Sequence, residues 1–314
     1  MELIFLGTGA GVPSPERNVT SIALTLHDER GTMWLFDCGE ATQHQIMRSP
    51  LKLSRLEFIF ITHLHGDHIF GLPGLLTSRA YQGGKTPLTL FGPPGLRDFV
   101  ETCVMLSGSH IGYELNYVEV QEGVIFQDDQ FTVECGLLEH RIDSYGYRIV
   151  ERDIPGTLLK DKLVADGIPP GPIYRQIKMS KAPVEYEGRM IDPREYVGPA
   201  ISGRKLAIIG DTRPVRKSVE LARNVDVLVH EATFALDKEM LAHQYYHATS
   251  VQAARIAAEA GARELILTHI SSRYQGDEAE RLVKEASNIH SRVYAAYDGY
   301  QHPIRRKNQE QGDS

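Results

Sequence analysis

The sequence predicts an α/β fold that carries an inserted arm, and three observations lead to this prediction. Short apolar runs of strand length recur in both halves of the chain, separated by turn-forming residues. Two segments with helical periodicity follow such runs in the second half. A stretch rich in proline and glycine lies between the halves. A chain of 314 residues with 42% hydrophobic residues can bury one α/β domain with an insertion.

The predicted elements repeat a strand-rich pattern in each half. The first half has expected strands over residues 3–6, 21–26, 33–36 and 58–61, and an expected helix over 39–47. The second half has expected strands over 206–209, 225–230 and 265–268, and expected helices over 250–260 and 278–287. Gly261 is placed to cap the first of these two helices. The main domain is therefore predicted to comprise residues 1–151 and 196–304.

Residues 152–195 break the pattern and are predicted to form the inserted, flexible arm. Residues 167–172 contain three prolines and two glycines, which argues against a regular helix or central strand there. From 160 to 181 five positive side chains face two negative ones, a net charge of +3 in a chain of −7. The positive residues are Lys160, Lys162, Arg175, Lys178 and Lys181. Composition alone favours a mobile linker, whereas the charge favours an arm that grips a polyanion.

Composition also bears on location. There is no run of about 18 apolar residues, so no membrane-spanning segment is predicted. The first residues enter a strand without a basic region, so no signal peptide is predicted. Three cysteines without paired spacing suit a reducing cytoplasm. The net charge of −7 argues against a surface covered in basic residues but allows a local basic patch. Residues 305–314 are polar and charged, and are predicted to form a frayed tail.

The most informative feature is a cluster of metal-type side chains in residues 62–68, which read Thr-His-Leu-His-Gly-Asp-His. The cluster directly follows an apolar run, so its side chains are expected at the carboxyl end of a strand, where open α/β sheets place their sites. His63 and His65 occupy alternate positions and can converge on one ion. Asp67 and His68 are adjacent and can turn towards a second. A solvated polar loop would explain one or two of these residues, but not the set.

Three further residues of metal-binding type, His140, Asp211 and His269, also follow strand-like runs. Singly, each is more typical of a turn residue than of a ligand, but together they complete what two ions need. Nitrogen and oxygen ligands without a nearby thiolate suit zinc or manganese, and the number of imidazoles favours zinc. A carboxylate such as Asp211 can bridge two ions that lie about 3.5–4 Å apart.

The glycine-rich opening, residues 7–11, allows two interpretations. It could hold a phosphate, as nucleotide-binding loops do. No helix is predicted after it, however, because Pro13 and Pro15 interrupt the next residues of the chain. The favoured interpretation is a tight turn that brings backbone close to the metal site.

The order H-x-H-x-D-H with later His, Asp and His resembles the metallo-β-lactamase superfamily over essentially the whole chain. The resemblance implies an αββα sandwich with the metals at one edge of the two sheets. It also implies that one ion is bound by His63, His65 and His140. The second ion would be bound by Asp67, His68 and His269, with Asp211 between the two. The superfamily hydrolyses many compounds, so the motif indicates the reaction type better than the substrate.

Several short motifs resemble one branch, the tRNase Z family, whose members mature the 3′ ends of transfer RNA. Residues 230–233 read H-E-A-T, and residues 296–299 read A-Y-D-G, which is similar to the family's A-x-D-x loop. Residues 13–18 resemble its P-x-K-x-R-N loop, with Pro15 in place of lysine. Residues 247–249 resemble its H-S-T loop, with Ala248 in place of serine. Gly171 and Pro172 in the arm resemble its glycine- and proline-rich exosite.

The resemblance implies roles for particular residues. Asp67 would be ligand and base, and His247, held by Glu231, would be the acid that protonates the leaving oxygen. Arg17, Asn18, Asp298 and the arm would contact precursor transfer RNA. The absence of a duplicated half fits the short bacterial-type form, which implies a homodimer. Two alternatives stay open: a small-molecule hydrolase of the same fold, and an RNA-binding module with a vestigial site, which predicts gaps among the ligands.

Overall fold

The computed structural model describes residues 1–306, so the predicted tail lies outside the described residues from position 307 onwards. Two compact units are present. The first comprises Met1–Val150 and Lys205–Ile304, and the second comprises Glu151–Arg204 with Arg305 and Arg306. Within residues 1–306, none of the helices is long and apolar enough to cross a membrane.

The strands follow the chain as β1 Glu2–Gly7, β2 Ser21–Leu26, β3 Thr32–Phe36, β4 Leu56–Phe60, β5 Leu88–Gly92, β6 Leu115–Glu119, β7 Gly123–Gln127, β8 Phe131–Leu138, β9 Ser144–Glu151, β10 Val184–Tyr186, β11 Arg189–Ile191, β12 Lys205–Ile208, β13 Val227–Glu231, β14 Glu264–Thr268, β15 Val293–Ala295 and β16 Gln301–Pro303. The α-helices are α1 Thr42–Met47, α2 Gly66–Ile69, α3 Leu72–Tyr81, α4 Leu96–Ser107, α5 Lys160–Ala165, α6 Ile173–Met179, α7 Arg216–Leu221, α8 Glu239–Tyr245, α9 Ser250–Ala260 and α10 Glu278–Ser287.

The first unit is built from two seven-stranded sheets. One sheet has the order β16-β1-β2-β3-β4-β5-β6, and the other has the order β15-β14-β13-β12-β9-β8-β7. One apolar cluster joins the facing sides of the sheets, while two others pack helices against their outer sides. The arrangement is the αββα sandwich that the superfamily resemblance implies, so the predicted fold class is confirmed.

Aromatic side chains fill the space between the two sheets. Trp34 on β3 meets Phe131 on β8 with ring centres 5.3 Å apart, and Phe60 on β4 meets Tyr147 on β9 at 5.4 Å. All four are fully buried. Burial of each such side chain contributes about 1.5–3 kcal/mol, so this layer fixes the distance between the sheet edges that carry the site.

The predicted elements of the first unit agree closely with the structure. Helices α9 and α10 have the predicted bounds, and the ends of the predicted strands differ by no more than two residues. Helix α9 begins with a capping box in which Thr249 and Gln252 exchange hydrogen bonds, and Gly261 ends it with φ of +67°. Helix α1 begins three residues later than predicted, because Ala41 is left-handed with φ of +60°.

Residues 167–172 lie outside the helices and strands, as the sequence predicts, and the flexibility of residues 152–195 stays a prediction. The second unit nevertheless contains elements that the sequence does not predict. It contains α5, α6 and the hairpin β10–β11 around a small core of its own. The buried residues of this core are Leu163, Ile168, Ile173, Ile177, Ile191 and Tyr196. Helix α6 starts directly after Pro172, where a proline is tolerated because the first helical N–H groups need no intrahelical acceptor. The unit also extends past residue 195 to Arg204, which pairs with Glu151 at 2.8 Å.

Candidate metal centre

The histidine cluster lies where strand β4 ends. Helix α2 begins at Gly66, so Asp67 and His68 stand on its first turn, while His63 and His65 precede it in the loop. His63 and His68 are buried, and His65 is half-buried. The site therefore occupies the carboxyl end of a strand, as the sequence predicts.

Three imidazoles converge as the sequence predicts for the first ion. Nε2 of His63 lies 3.0 Å from Nδ1 of His65, and Nε2 of His140 lies 3.2 Å from the same atom. These three residues form a group that could hold one metal ion. His140 arrives from the loop that follows β8, so the ligands of this group come from both sheets.

A second group surrounds the position expected for the other ion. Oδ2 of Asp67 lies 3.4 Å from Nε2 of His68 and 3.3 Å from Nε2 of His269. Oδ2 of Asp211 lies 3.5 Å from Nε2 of His68, 3.2 Å from Nε2 of His269 and 3.8 Å from Nε2 of His63. Asp211 thus faces both groups, which is the placement needed for a bridging carboxylate. All seven predicted ligands are present, so the gaps expected of a vestigial site are absent.

The donor set fits divalent metal ions. Nε2 of His68 is buried without a hydrogen-bond partner, although its Nδ1 lies 2.8 Å from a carboxylate oxygen of Asp37. Burial opposes a positive charge on His68, but the carboxylates of Asp211, Asp37 and Asp67 outweigh it and raise its pKa well above the usual value. The same negative field attracts a metal cation. Imidazole and carboxylate ligands of this kind suit zinc.

The outer nitrogens of three more predicted ligand histidines are also held. Nδ1 of His63 lies 2.9 Å from the Thr62 hydroxyl, and Nδ1 of His269 lies 3.0 Å from the Thr233 hydroxyl. Nδ1 of His140 donates to the carbonyl of Tyr246 at 2.9 Å. Such partners fix the ring orientation and the tautomer of a metal-binding histidine.

Asp37 is a site residue that the sequence analysis missed. It accepts hydrogen bonds from the Thr62 backbone N–H at 2.8 Å and the Thr62 hydroxyl at 2.9 Å, in addition to its contact with His68. Its position directly after the end of β3 at Phe36 is the same signal that identified Asp211 and His269. That signal could have found it.

Glu231 and His247 form a pair beside the metal ligands. Glu231 is the last residue of β13 and is buried, and its Oε1 lies 2.9 Å from Nδ1 of His247. Burial opposes a positive charge on His247, but the Glu231 carboxylate outweighs it and raises the pKa of His247 to about 9. Glu231 also accepts from the backbone N–H groups of Thr212 at 2.8 Å and Ala248 at 3.1 Å. With Nδ1 engaged, Nε2 is the ring nitrogen left for a substrate.

The glycine-rich turn after β1 approaches the site, in agreement with the favoured interpretation. The N–H of Gly11 donates to Oδ2 of Asp67 at 2.8 Å. The turn is held from behind by Asp298, which accepts from the N–H and hydroxyl of Thr8 at 3.1 and 2.8 Å. Asp298, which is predicted to contact RNA, therefore also supports the predicted metal ligand Asp67 through the glycine-rich turn.

All three loop residues predicted to bind RNA have internal partners. Arg17 is only 8% exposed, and its Nη1 donates to the Thr8 hydroxyl and the Ala296 carbonyl, each at 2.7 Å. Asp298 accepts from the Asn18 backbone N–H at 2.6 Å. The Asn18 side chain donates to a backbone carbonyl, but Asn18 is only half-buried. Contact of Arg17, Asn18 and Asp298 with RNA stays a prediction.

The predicted arm residues are all at the surface of the second unit. The exposed cations of α5, α6 and the segment after them are Lys160, Lys162, Arg175, Lys178 and Lys181. Gly171 and Pro172 are exposed at the start of α6. The Lys162 ammonium donates to the carbonyl of Glu195 at 3.0 Å, which leaves two of its protons for other acceptors. Their binding to RNA also stays a prediction.

A cavity of about 440 Å³ opens onto the metal ligands and His247. The larger side chains that line it beyond these include Arg141, Phe234, Tyr245 and Arg273. The sequence analysis named none of them, because each lies next to a motif and carries no motif pattern of its own. Their contribution to the cavity depends on how the end of α8 and the loops after β8, β13 and β14 come together.

Comparisons with known proteins agree with this architecture. Residues 179–270 match the family model of the β-lactamase superfamily domain, and residues 1–136 match the model of the anti-Pycsar protein Apyc1. The chain is 58% identical to a ribonuclease Z of Geobacillus kaustophilus over 95% of its own length and 97% of that protein's length. It is 54% identical to a ribonuclease Z of Bacillus cereus over 97% of its own length and 99% of that protein's.

The crystal structure of the short form of human tRNase Z gives the same result in three dimensions. It is 31% identical to this chain and superposes with a TM-score of 0.71, covering 97% of this chain and all of the human one. Identity at this level over nearly the whole length shows that the chain belongs to the ribonuclease Z family of endoribonucleases, which have the metallo-β-lactamase fold.

Proposed function

We propose that this protein is a zinc-dependent endoribonuclease that cleaves precursor transfer RNA on the 3′ side of the discriminator nucleotide. The cleavage would leave a 3′-hydroxyl on the transfer RNA and a 5′-phosphate on the trailer. The observation that carries the proposal is the convergence of seven metal-type side chains beside the Glu231–His247 pair, in a chain of the ribonuclease Z family.

Two zinc ions per subunit are the proposed cofactors, and manganese is the alternative. One would be held by His63, His65 and His140, the other by Asp67, His68 and His269, with Asp211 between them. Two bound zinc ions would promote ionisation of water near neutral pH and offset the negative charge of the phosphate.

Asp67 is the proposed base. Its Oδ2 accepts from Gly11 and faces two histidines, while none of the described residues donates a hydrogen bond to its Oδ1. Asp67 lines the cavity, so Oδ1 can orient an attacking water and accept its proton. Because the contacts of Oδ2 fix the carboxylate, Oδ1 keeps a constant direction relative to the phosphate.

His247 is the proposed acid. In-line hydrolysis of a phosphodiester leaves an alkoxide on the 3′-oxygen of the transfer RNA, which needs a proton to depart. His247 is 16% exposed, lines the cavity, and presents Nε2 because Glu231 holds Nδ1. Glu231 would stabilise the protonated ring and fix its direction, as the carboxylate does in other histidine–carboxylate pairs.

The second unit supplies a surface suited to the body of the transfer RNA. Its exposed cations lie on two short helices, and neutralisation of phosphates by such side chains makes binding salt-dependent. We also propose that the protein works as a homodimer in the cytoplasm. These exposed cations favour the RNA substrate over the small-molecule alternative, because a small ester would need no such surface.

Incubation with a precursor transfer RNA, followed by mapping of both new ends, tests the proposal. The expected result is a single cut after the discriminator nucleotide, a 3′-hydroxyl on the body and a 5′-phosphate on the trailer. Dialysis against a chelator should abolish the cut, and zinc should restore it. Cleavage at scattered positions, or a 3′-phosphate on the body, would contradict the proposed chemistry.

A further inference from the structure

Two side chains at the rim of the cavity stack on each other, although neither belongs to the proposed metal and proton-transfer machinery. The guanidinium carbon of Arg141 lies 5.3 Å from the centre of the Tyr245 ring. Both residues line the cavity, and the Tyr245 side chain is 44% exposed. A ring with this exposure is accessible to a ligand that enters the cavity.

Arg141 keeps its hydrogen-bonding capacity. Among residues 1–306 no carboxylate forms an ion pair with it, whereas the side chains of Arg213 and Arg17 near the site have acceptors. A guanidinium that lies over an aromatic ring covers one face of that ring, while its N–H groups point outwards in its own plane. Arg141 and Tyr245 together offer an aromatic ring and a guanidinium plane with hydrogen-bond donors at its edge, and we call this pair the stacking face.

The stacking face lies on the side of the site that holds the proposed acid. Arg141 directly follows His140, and Tyr245 lies two positions before His247. The centres of the His140 and His247 rings are 5.1 Å apart. Nδ1 of His140 donates to the carbonyl of Tyr246, the residue between Tyr245 and His247 in the sequence. The proposed base, Asp67, belongs to α2 and is held by the glycine-rich turn instead. The nucleotide nearest the stacking face is therefore the one that keeps the leaving oxygen.

We infer that the stacking face is a nucleobase subsite, and that it receives the discriminator base of the precursor. The inference rests on the proposed function, since only an RNA substrate places a base next to the leaving oxygen. Single-stranded RNA is commonly held by stacking of bases on aromatic rings and arginine planes. A stacked discriminator base would fix the scissile phosphate relative to His247 without contributing to the chemistry itself.

The test compares Tyr245→Ala with wild type on two precursors, one intact and one lacking the discriminator base. On the intact precursor, kcat/KM should fall about 10- to 100-fold, the range expected for the loss of one base stack. On the abasic precursor, wild type and variant should be equally slow. Tyr245→Phe and Tyr245→Trp keep a ring and should retain most of the activity. Arg141→Ala should show the same substrate dependence with a smaller loss.

Two control variants are available in the same chain. Arg97 also stacks on a tyrosine, with its guanidinium carbon 5.7 Å from the Tyr117 ring centre, but it lies on α4 and does not line the cavity. Tyr81 is 88% exposed at the end of α3. Arg97→Ala and Tyr81→Ala should leave kcat/KM unchanged on both precursors. Methyl p-nitrophenyl phosphate, which carries no nucleobase, should be cleaved by Tyr245→Ala as fast as by wild type.

The outcomes separate this inference from the proposed function. Wild-type protein that leaves the precursor intact while cleaving the nitrophenyl ester would refute the proposed function. Wild type that processes the precursor, together with a Tyr245→Ala variant that does so equally fast, would refute only the subsite. Equal losses on the intact and abasic precursors would identify Tyr245 as a structural residue. If the effect of Tyr245→Ala disappeared only when the first trailer nucleotide lacked its base, the subsite would hold that base and not the discriminator base.

Discussion

Arg213 connects three segments that carry site residues, so its removal should weaken metal binding although it is not itself a ligand. Its Nη1 lies 2.9 Å from the Glu139 carboxylate, and its Nε donates to the His243 carbonyl at 2.8 Å. Its guanidinium carbon lies 3.6 Å from the centre of the Tyr246 ring. Because the Tyr246 carbonyl binds Nδ1 of His140, Arg213 determines through Tyr246 where Nε2 of His140 points.

The free energies of the Arg213 contacts decide whether Tyr246 keeps its left-handed conformation when Arg213 is replaced. Tyr246 has φ of +63°, and the left-handed conformation costs a residue with a side chain about 1–2 kcal/mol. A hydrogen bond from a charged donor contributes about 1.5–3 kcal/mol, and the stacked ring contributes about 0.5–1 kcal/mol. The Glu139 pair adds little, because that side chain is 52% exposed. Arg213 therefore offsets the strain at Tyr246, and without it the strained conformation should relax.

For Arg213→Ala we expect zinc affinity to fall about 10- to 100-fold, as when an outer partner of a ligand histidine is lost. Competition with a chromophoric chelator on metal-stripped protein measures it, and thermal unfolding checks the fold. Arg213→Lys should lose most of the affinity too, because an ammonium cannot stack as a planar fork. Arg216→Ala is the matched control, since its pair with Glu259 is largely exposed. Unchanged zinc affinity in Arg213→Ala would refute the reasoning.

Three further predictions concern catalysis and RNA binding. Asp67→Ala should lower turnover of precursor by at least about tenfold, since a positioned base contributes about 10²–10⁴-fold, while filter binding should show RNA affinity retained. His247→Ala should slow precursor cleavage but spare a nitrophenyl diester, whose leaving group departs without a proton; equal losses on both substrates would indicate a structural defect. Replacing residues 155–200 by a short Gly/Ser linker should preserve cleavage of that ester, weaken precursor binding, and flatten its salt dependence. Unchanged precursor processing would show that the second unit acts only as a linker and not in RNA binding.

The metal ligands could be predicted from the sequence because each is marked by local pattern. His269 directly follows an apolar strand, and His63 and Asp211 each lie three residues after one. Parallel strands end at the same edge of a sheet. Asp37 carries the same mark and was overlooked only because it stands alone. The backbone conformations that hold these residues in place are not indicated by any local sequence pattern. The left-handed Tyr246 depends on Arg213, which lies 33 positions away in the chain.

The fold of the second unit escaped prediction for a different physical reason. Its helices α5 and α6 are six and seven residues long, too short for helical periodicity to emerge in the sequence. Their stability comes from contacts distant along the chain, as when Leu163 and Ile177 share a core with Tyr196. Proline and glycine between them act as boundaries of two short helices, and a composition rule cannot distinguish such boundaries from a flexible linker.

Different segments of the chain hold two parts of the site: the predicted metal ligands, and the proposed acid with the stacking face. The predicted ligands, Asp67 among them, are held by strand ends, α2 and the glycine-rich turn, and we expect these to suffice for hydrolysis of an ester with a good leaving group. Tyr245 is the last residue of α8, and Tyr246 and His247 follow it in the segment that joins α8 to α9. A base that stacks on Tyr245 would therefore order the segment that carries the acid, so binding of the correct RNA and protonation of its leaving oxygen would be coupled. Such coupling allows one metal-binding fold to serve many substrates, because specificity changes with the loops while the strand-borne ligands stay fixed.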